Sequence, residues 1–331
     1  MTPRVLVVGD VLLDEDVDGR AERLCPDAPA PVLEVDGDCA RPGGAGLAAV
    51  LLAADGPAVR LVAALDDDDA ARRLQEMLAG CVEMVAGPAT GGTAVKTRLR
   101  ADGRVLLRAD RGEGRAAPHF GVELGSRLTG SLASGFGGRR RGRAPGAVLV
   151  SDYGRGVAAD PLVRAALADC AIPVVWDPHP RGDDPVPGAA VVTPNLSEAC
   201  AVLGVPAPAP GDDHAVLGLA AALCEHWEAA AVVVTLGCRG AALYCAGADG
   251  ADSGAVGPAP PTGDGDPCGA GDRVAGHLAG ALAAGVPLRR AVGQGVAAAS
   301  AFVAAGGAGA VRRTETGWCQ PLATDARSRV G

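Results

Sequence analysis

Short apolar runs alternate along the chain with longer stretches rich in alanine and leucine. Runs that end in a polar residue at a turn are typical of strands in a parallel sheet buried on both faces. We therefore predict an α/β fold whose mostly parallel central sheet carries helices on both faces. The predicted strands are 5–10, 148–152, 174–177, 191–195 and 231–235, and the predicted helices are 44–54, 69–78, 161–169, 213–226, 271–284 and 288–305.

Two β-like segments fall outside this alternation. Residues 33–35 and 93–110 have strand character, with Gly103 at a turn. We interpret them as part of a small β lid contributed by about residues 12–36 and 90–110. The lid belongs to a single domain over residues 1–315, and a polar tail follows at 316–331. Loops are predicted at 135–146, 205–211 and 246–266.

Polar side chains follow several predicted strands at the point where each strand ends. Asp10, Asp152, Asp177 and Asn195 all have this position. Ligands of open parallel sheets bind beyond the carboxyl ends of the strands. The sequence therefore predicts that these four side chains gather along one rim.

Composition narrows the classes of partner. With 331 residues, 48% hydrophobic and 21% charged, the chain has enough apolar sequence for a folded core. A net charge of −9 and 2% aromatic residues argue against a nucleic-acid partner. The chain shows no signal peptide and no long apolar run, and its ten cysteines form no C-x-x-C pair. We expect a cytoplasmic protein with no membrane partner.

The strongest chemical signal is the segment 265–272, which reads GDPCGAGD and leads directly into a predicted helix. Amides at a small-residue turn before a helix bind anions, because they face outward at the positive end of the helix dipole. We predict that the amides of Gly269, Ala270 and Gly271 form an anion hole. Asp272, held ionised by the dipole, would accept a proton from a substrate hydroxyl. The alternative is an ordinary acid in the first turn of a helix.

Other phosphate-binding motifs are absent from the sequence. The only lysine is Lys96, which excludes the Gly-x-x-x-x-Gly-Lys-Ser/Thr loop. The His-Arg-Asp and Asp-Phe-Gly segments of protein kinases do not occur, and neither does Gly-x-Gly-x-x-Gly. The 265–272 segment is therefore the principal candidate.

Four segments together resemble a known family. Residues 269–272 are similar to the C-terminal signature of the ribokinase-like (PfkB-type) sugar kinases, and 42–45 to their N-terminal signature. Residues 193–198 resemble the family's Asn-x-x-Glu element, and 234–240 its nucleotide-binding strand and turn. Finer features resemble one branch, the heptose 7-phosphate kinase domain of a bifunctional kinase/adenylyltransferase; they are 9–14, 26–32, 96–98, 107–110, 151–156 and 177–178.

This resemblance implies a ribokinase-like fold and an activity. The branch transfers the γ-phosphoryl group of ATP to the anomeric hydroxyl of D-glycero-D-manno-heptose 7-phosphate. ATP and Mg²⁺ are the implied cofactors, and a monovalent cation is a further candidate. We also expect a homodimer formed through the lid and a separate adenylyltransferase in the pathway.

The resemblance also assigns roles to residues of this sequence. Asp272 is the implied base, and the amides of 269–271 are the implied anion hole. The remaining assignments are Asp10, Asp14, Gly43 and Gly44 to sugar hydroxyls, Lys96, Arg98 and Arg108 to the distal phosphate of the acceptor, Asn195 and Glu198 to Mg²⁺ through water, and Thr235, Gly237, Gly240 and Cys268 to the nucleotide. Solvated lid charges are the alternative interpretation of the three cations.

Four positions depart from the family pattern. Leu47 stands where the first signature usually has a sugar-binding asparagine, and His179 replaces a usual lysine. Pro267 and Cys268 replace a Val/Thr-Thr pair, which exchanges a hydroxyl for a weaker thiol donor. Two alternatives therefore stay open: a kinase of another sugar or sugar phosphate, and a catalytically weakened sugar- or nucleotide-binding protein.

Overall fold

The computed structural model describes residues 4–125, 146–247, 253–257, 266–314 and 317–319, together with residues 2, 127 and 130. The strands of these residues are β1 (Arg4–Gly9), β2 (Val11–Leu24), β3 (Pro31–Gly44), β4 (Ala58–Leu65), β5 (Val82–Thr90), β6 (Val95–Ala101), β7 (Arg104–Arg111), β8 (Arg115–Ala116), β9 (Ala147–Ser151), β10 (Val174–Asp177), β11 (Val191–Val192), β12 (Ala231–Thr235), β13 (Ala241–Cys245), β14 (Gly254–Val256), β15 (Arg312–Thr314) and β16 (Gly317–Cys319). The helices are α1 (Ala45–Ala54), α2 (Asp69–Leu78), α3 (Phe120–Leu124), α4 (Pro161–Ala168), α5 (Leu196–Leu203), α6 (Asp213–His226), α7 (Ala270–Ala283) and α8 (Leu288–Ala304).

A ten-stranded sheet forms the centre, in the order β14-β13-β12-β11-β10-β9-β1-β4-β5-β8. The strands from β12 to β5 are parallel, and β8, β13 and β14 join the two edges antiparallel. Along β1, Val5 and Val7 enter one apolar core while Leu6 and Val8 enter the other. Because successive side chains of a strand point to opposite faces, the two cores cover both faces of the sheet. The predicted α/β architecture is confirmed.

The predicted elements recur with small shifts at their ends, but some elements were missed. The sequence did not indicate β4, β5 and β13 as strands or α3 and α5 as helices. The apolar run of β4, rich in alanine, has no period that separates a strand from a helix. Residues 205–211 are a loop as predicted, while most of 135–146 lies outside the described residues.

A second, four-stranded sheet has the order β3-β2-β6-β7. Its strands β2 and β3 are each 14 residues long, so it extends beyond the predicted 12–36 to Gly44. The turn at Gly103 joins β6 and β7 as predicted. At its base the buried Arg41 donates to Asp16 with 2.6 Å between Nη1 and Oδ2. The four-stranded sheet carries Lys96, Arg98 and Arg108, the three cations that the sequence assigned to the acceptor's phosphate.

A two-stranded hairpin, β15 and β16, occupies the predicted boundary between domain and tail. Trp318 is buried there, and its indole nitrogen donates to the carbonyl oxygen of Met77 at 2.8 Å. Residues 320–331 lie outside the described part of the chain. Among the described residues no helix has the length and apolar character needed to cross a bilayer.

Candidate active site

Asp272 lies in the first turn of α7 and is 5% exposed. The helix begins after Gly269, whose φ of 83° falls in the left-handed region that favours glycine. A Cβ at Gly269 would lie 2.8 Å from Cδ2 of Leu47. Leu47, where the family pattern has asparagine, is thus a buried packing partner of this turn.

The structure corrects one part of the predicted anion hole. The amide of Ala270 donates to the carbonyl oxygen of Pro267 at 3.0 Å, so this amide is used within the turn. The amides of Gly269 and Gly271 have no hydrogen-bond acceptor among the described residues. Two of the three predicted amides therefore remain available to an anion.

The charge of Asp272 also differs from the expectation. Burial raises the pKa of its carboxyl group to about 7, against the opposing hydrogen bond from Tyr153. The nearby carboxyl group of Asp14 raises this pKa further, and Lys96 lowers it. Near neutral pH the group is therefore poised between its two forms, whereas the sequence predicted a carboxylate held fully ionised.

An acidic cavity opens beside Asp272 at the carboxyl ends of the parallel strands. Its lining includes Asp152, Asp177, Asn195 and Glu198. Burial raises the pKa of Asp177 well above its usual value, and the carboxyl group of Asp272 raises it further; the hydroxyl of Thr193 donates to its Oδ1 at 2.8 Å. Three of the four predicted strand-end residues, Asp152, Asp177 and Asn195, therefore line one cavity, and Asp10 does not line it.

Asn195 and Glu198 form a capping box at the start of α5. The Asn195 side chain accepts from the amide of Glu198 at 3.0 Å, and the Glu198 carboxylate accepts from the amide of Asn195 at 2.8 Å. This arrangement satisfies two amides at the helix N-terminus. The Asn-x-x-Glu element therefore has a structural role, and its remaining lone pairs face the acidic cavity.

A mainly apolar cavity of about 250 Å³ lies on the other side of the 269–272 turn. Thr235, Gly237 and Gly240, which the sequence assigned to a nucleotide, all line it. Its walls come from α7 and α8, including Val274, Val296, Ala299 and Val303. The two cavities share Thr235 and Gly271, so a ligand in one would meet a ligand in the other beside Asp272.

The glycines assigned to the sugar lie where two chain segments approach closely. A Cβ at Gly43 would lie 2.4 Å from Oδ2 of Asp14, and one at Gly44 would lie 2.5 Å from the carbonyl oxygen of Asp10. Asp10 is buried, and its carboxylate accepts from the amides of Tyr153 and Arg155, both at 2.9 Å, and of Val157 at 3.2 Å. Asp10 therefore organises the loop after β9.

The three cations of the small sheet have different surroundings. Arg98 pairs with Asp14 at 3.0 Å and donates to Sγ of Cys268 at 3.7 Å, so Cys268 faces the small sheet. Arg108 is exposed and pairs with Asp110 at 2.7 Å. Lys96 lies over the ring of Tyr153, which lines the acidic cavity, with Nζ 5.5 Å from the ring centre. Burial lowers the pKa of Lys96.

Tyr153 is the site residue that sequence reasoning missed. Its hydroxyl donates to both oxygens of Asp272, at 3.0 and 2.9 Å, and its ring stacks on His179 with 5.9 Å between ring centres. The sequence did contain a signal. Tyr153 is one of only two tyrosines in the chain and directly follows a strand-end aspartate.

No three His, Cys, Asp or Glu side chains come close enough to enclose a metal ion within the ranges that the structure describes. The acidic cavity nevertheless fits a divalent cation, because its buried carboxyl groups raise one another's pKa and a cation would relieve that repulsion. Asn195 and Glu198, which the sequence assigned to Mg²⁺, both line this cavity and would hold such an ion through water.

The chain is similar to known proteins. Residues 156–315 match the model of the pfkB family carbohydrate kinases. A Streptomyces coelicolor protein named Bifunctional protein HldE is 46% identical over 310 residues, which are 94% of this chain and 62% of the relative. An Edwardsiella ictaluri protein of the same name is 36% identical over 307 residues, 91% of this chain and 60% of the relative. The chain thus spans less than two thirds of these relatives.

Solved structures share the fold at lower identity. Phosphofructokinase-2 from Escherichia coli, in complex with substrates and products, superposes with a TM-score of 0.70 at 18% identity, over 99% of this chain and 98% of that chain. Arabidopsis thaliana ribokinase, complexed with ribose and ATP, gives a TM-score of 0.65 at 18% identity, over 92% and 93% of the two chains.

Proposed function

We propose that the chain, whose residues 156–315 match the pfkB family of carbohydrate kinases, is a member of this family and phosphorylates the anomeric hydroxyl of D-glycero-D-manno-heptose 7-phosphate with ATP. The match to the carbohydrate kinase family supports a phosphotransferase with an alcohol acceptor, and the solved structures share its fold. One observation carries the proposal: the buried Asp272 lines the acidic cavity and directly follows Gly271, which lines both the acidic and the apolar cavity.

Asp272 is the general base in this proposal. Its ionised carboxylate accepts the proton of the anomeric hydroxyl as that oxygen bonds to the γ-phosphorus, and the bond from phosphorus to the β-γ bridging oxygen breaks to release ADP. The amides of Gly269 and Gly271 stabilise the charge on the transferring group, because they are donors fixed in place before the reaction.

The nucleotide would occupy the cavity lined by Thr235, Gly237 and Gly240, with its base and ribose against the apolar walls of α7 and α8. Mg²⁺, when bound, neutralises phosphate charge. Asn195 and Glu198 would hold it through water. The monovalent cation, the homodimer through the lid and the separate adenylyltransferase stay predictions.

Lys96 is the best placed of the three assigned cations to contact the 7-phosphate. It pairs across the strands with Asp14 and lies over the ring of Tyr153, whereas Arg98 and Arg108 are engaged with carboxylates. An ammonium group that is already partly desolvated binds phosphate at less further cost. This supports a phosphorylated acceptor in an otherwise acidic protein.

A second candidate is a kinase of another sugar. Leu47 supports it, because a buried leucine at the 269–272 turn offers no hydrogen bond where the family pattern provides one. An acceptor that lacks the corresponding hydroxyl would lose less at this position. This candidate keeps the same reaction and the same base.

Phosphorus NMR distinguishes the candidates. The protein is incubated with ATP, Mg²⁺ and heptose 7-phosphate, and parallel samples contain heptose, fructose 6-phosphate or ribose. A new anomeric phosphate signal with the heptose phosphate alone supports the proposal. Turnover of another acceptor in preference supports the second candidate, and no turnover of any acceptor contradicts both.

A further inference from the structure

Several contacts hold the Tyr153 residue in place. Its backbone amide donates to Asp10, its ring stacks on His179, and Lys96 lies over the ring. Gly44 lies beside the ring, since a Cβ there would be in van der Waals contact with two ring carbons at 3.4 Å. A ring held by strand ends, a loop and the small sheet has little freedom to turn away from Asp272.

The pKa of the Tyr153 phenol determines which group donates in its hydrogen bond with Asp272. Burial and the neighbouring carboxyl group of Asp272 raise the pKa of the Tyr153 phenol well above 10, so the phenol keeps its proton through neutral pH. The Asp272 carboxylate, at 3.0 and 2.9 Å, is the acceptor. A hydrogen bond to a carboxylate favours its ionised form.

Of the other groups that face Asp272, some lower the pKa of its carboxyl group and others raise it. Ser151 on β9 and Lys96 on β6 lower the pKa of Asp272, whereas the carboxyl groups of Asp14 on β2 and Asp177 on β10 oppose its negative charge. The Cys268 thiol precedes α7, and the carboxyl group of Asp272 contributes to raising its pKa. Two carboxyl groups and burial disfavour the charge of Asp272, and the Tyr153 hydroxyl is the donor that reaches both of its carboxylate oxygens.

We propose that Tyr153 is a positioning residue for phosphoryl transfer, whose hydroxyl holds the Asp272 carboxylate in the orientation and charge state in which it accepts the acceptor's proton. This inference rests on the proposed function. Tyr153 is not itself consumed: its proton stays on the phenol, and the proton of the sugar hydroxyl goes to Asp272 and then to solvent. The free lone pairs of Asp272 remain open to the acceptor.

Tyr153→Phe tests the inference, because it keeps the ring and removes only the hydroxyl. The measurement is kcat/KM for the acceptor between pH 5.5 and 9.5. We expect the acid limb of the profile to move up by about one pH unit, the size expected when one hydrogen bond to a charged group is lost. Turnover then falls about fivefold at pH 7 and recovers almost completely by pH 9.

Tyr244→Phe is the matched control, since it removes the only other phenol of the chain, on β13 and away from the site. We expect it to leave the profile unchanged. A loss in Tyr153→Phe that is equal at every pH, or a profile identical to that of the unmodified protein, overturns the inference. ATP affinity by calorimetry and the thermal unfolding midpoint show that the variants are folded.

Fluorotyrosine incorporation keeps the inference testable even if Tyr153→Phe does not fold. A 3-fluorotyrosine phenol is a stronger donor, so the acid limb should move to lower pH, and an unchanged or raised limb contradicts the inference. Asp272→Asn distinguishes a failure of the proposed function from a failure of the role assigned to Tyr153. If that variant still transfers phosphate, the proposed function fails; if it is inactive while Tyr153→Phe keeps the normal profile, only the role of Tyr153 fails.

Discussion

At the scale of single residues, the chemistry depends on one buried carboxyl group. Asp272 can act as a base only in its ionised form, yet burial disfavours that form. The surrounding donors limit this effect, which leaves the pKa at about 7. A base with a pKa near the working pH combines a substantial ionised fraction with useful basicity.

The first prediction is the pH dependence of transfer. Because the ionised form is active and the pKa is about 7, kcat/KM should rise with pH and reach half of its plateau near pH 7. The measurement is the initial rate of ADP release across pH 5 to 9 with saturating Mg²⁺ and ATP. A rate that is already constant from pH 5 upward would show that the reaction does not depend on this buried carboxyl group.

At the scale of elements, the turn before α7 holds the site together. Its left-handed Gly269 lets the chain enter the helix while Leu47 and Phe302 pack against the backbone. The turn thereby presents two amides without an acceptor among the described residues, and it places Asp272 directly after Gly271, which both cavities share. Its geometry requires a residue without a side chain.

Gly269→Ala tests this requirement. Left-handed backbone costs a residue with a Cβ about 1–2 kcal/mol, and the Cβ would also meet Leu47 at 2.8 Å. We expect the free energy of unfolding to fall by about 1–3 kcal/mol, measured in urea. Gly271→Ala is the stability control, because a Cβ there meets nothing within 4 Å and alanine favours a helix. Equal stability of the two variants would contradict this account of the turn.

The elements also show what sequence can and cannot predict. The polar ends of β1, β9 and β10 were predictable, because the alternation of strands and helices brings those ends to one edge. The bond between Tyr153 and Asp272 was not, because these residues are 119 positions apart and only the tertiary fold brings them together. The use of the Ala270 amide within its own turn depends on local backbone angles, which the glycines leave open.

At the scale of the whole molecule, the acidic cavity contains buried carboxyl groups whose ionisation lowers the stability of the folded protein. Asp152 is 4% exposed, and burial raises its pKa to about 7. The folded pKa lies above the unfolded value, so the native state holds a proton that the unfolded chain releases from about pH 4 upward. The contribution to stability is therefore present at low pH and is lost as pH rises toward 7.

Asp152→Asn should remove this dependence, since an amide does not titrate in this range. Relative to the unmodified protein, we expect the variant to gain about 1 kcal/mol of unfolding free energy per pH unit between pH 5 and 6.5. Denaturant unfolding at several pH values measures the difference. The exposed Asp169→Asn serves as control and should follow the unmodified protein; a constant difference for Asp152→Asn would refute the charge argument.

The most direct test of the whole account is Asp272→Asn, assayed by phosphorus NMR with heptose 7-phosphate while ATP binding is measured by calorimetry. The amide keeps the size of the side chain and can still meet the Tyr153 hydroxyl, but it cannot accept the acceptor's proton. The account predicts that kcat falls by about 10²–10⁴-fold, the usual contribution of a general base, while ATP affinity changes little. Turnover within a few fold of the unmodified protein would contradict it.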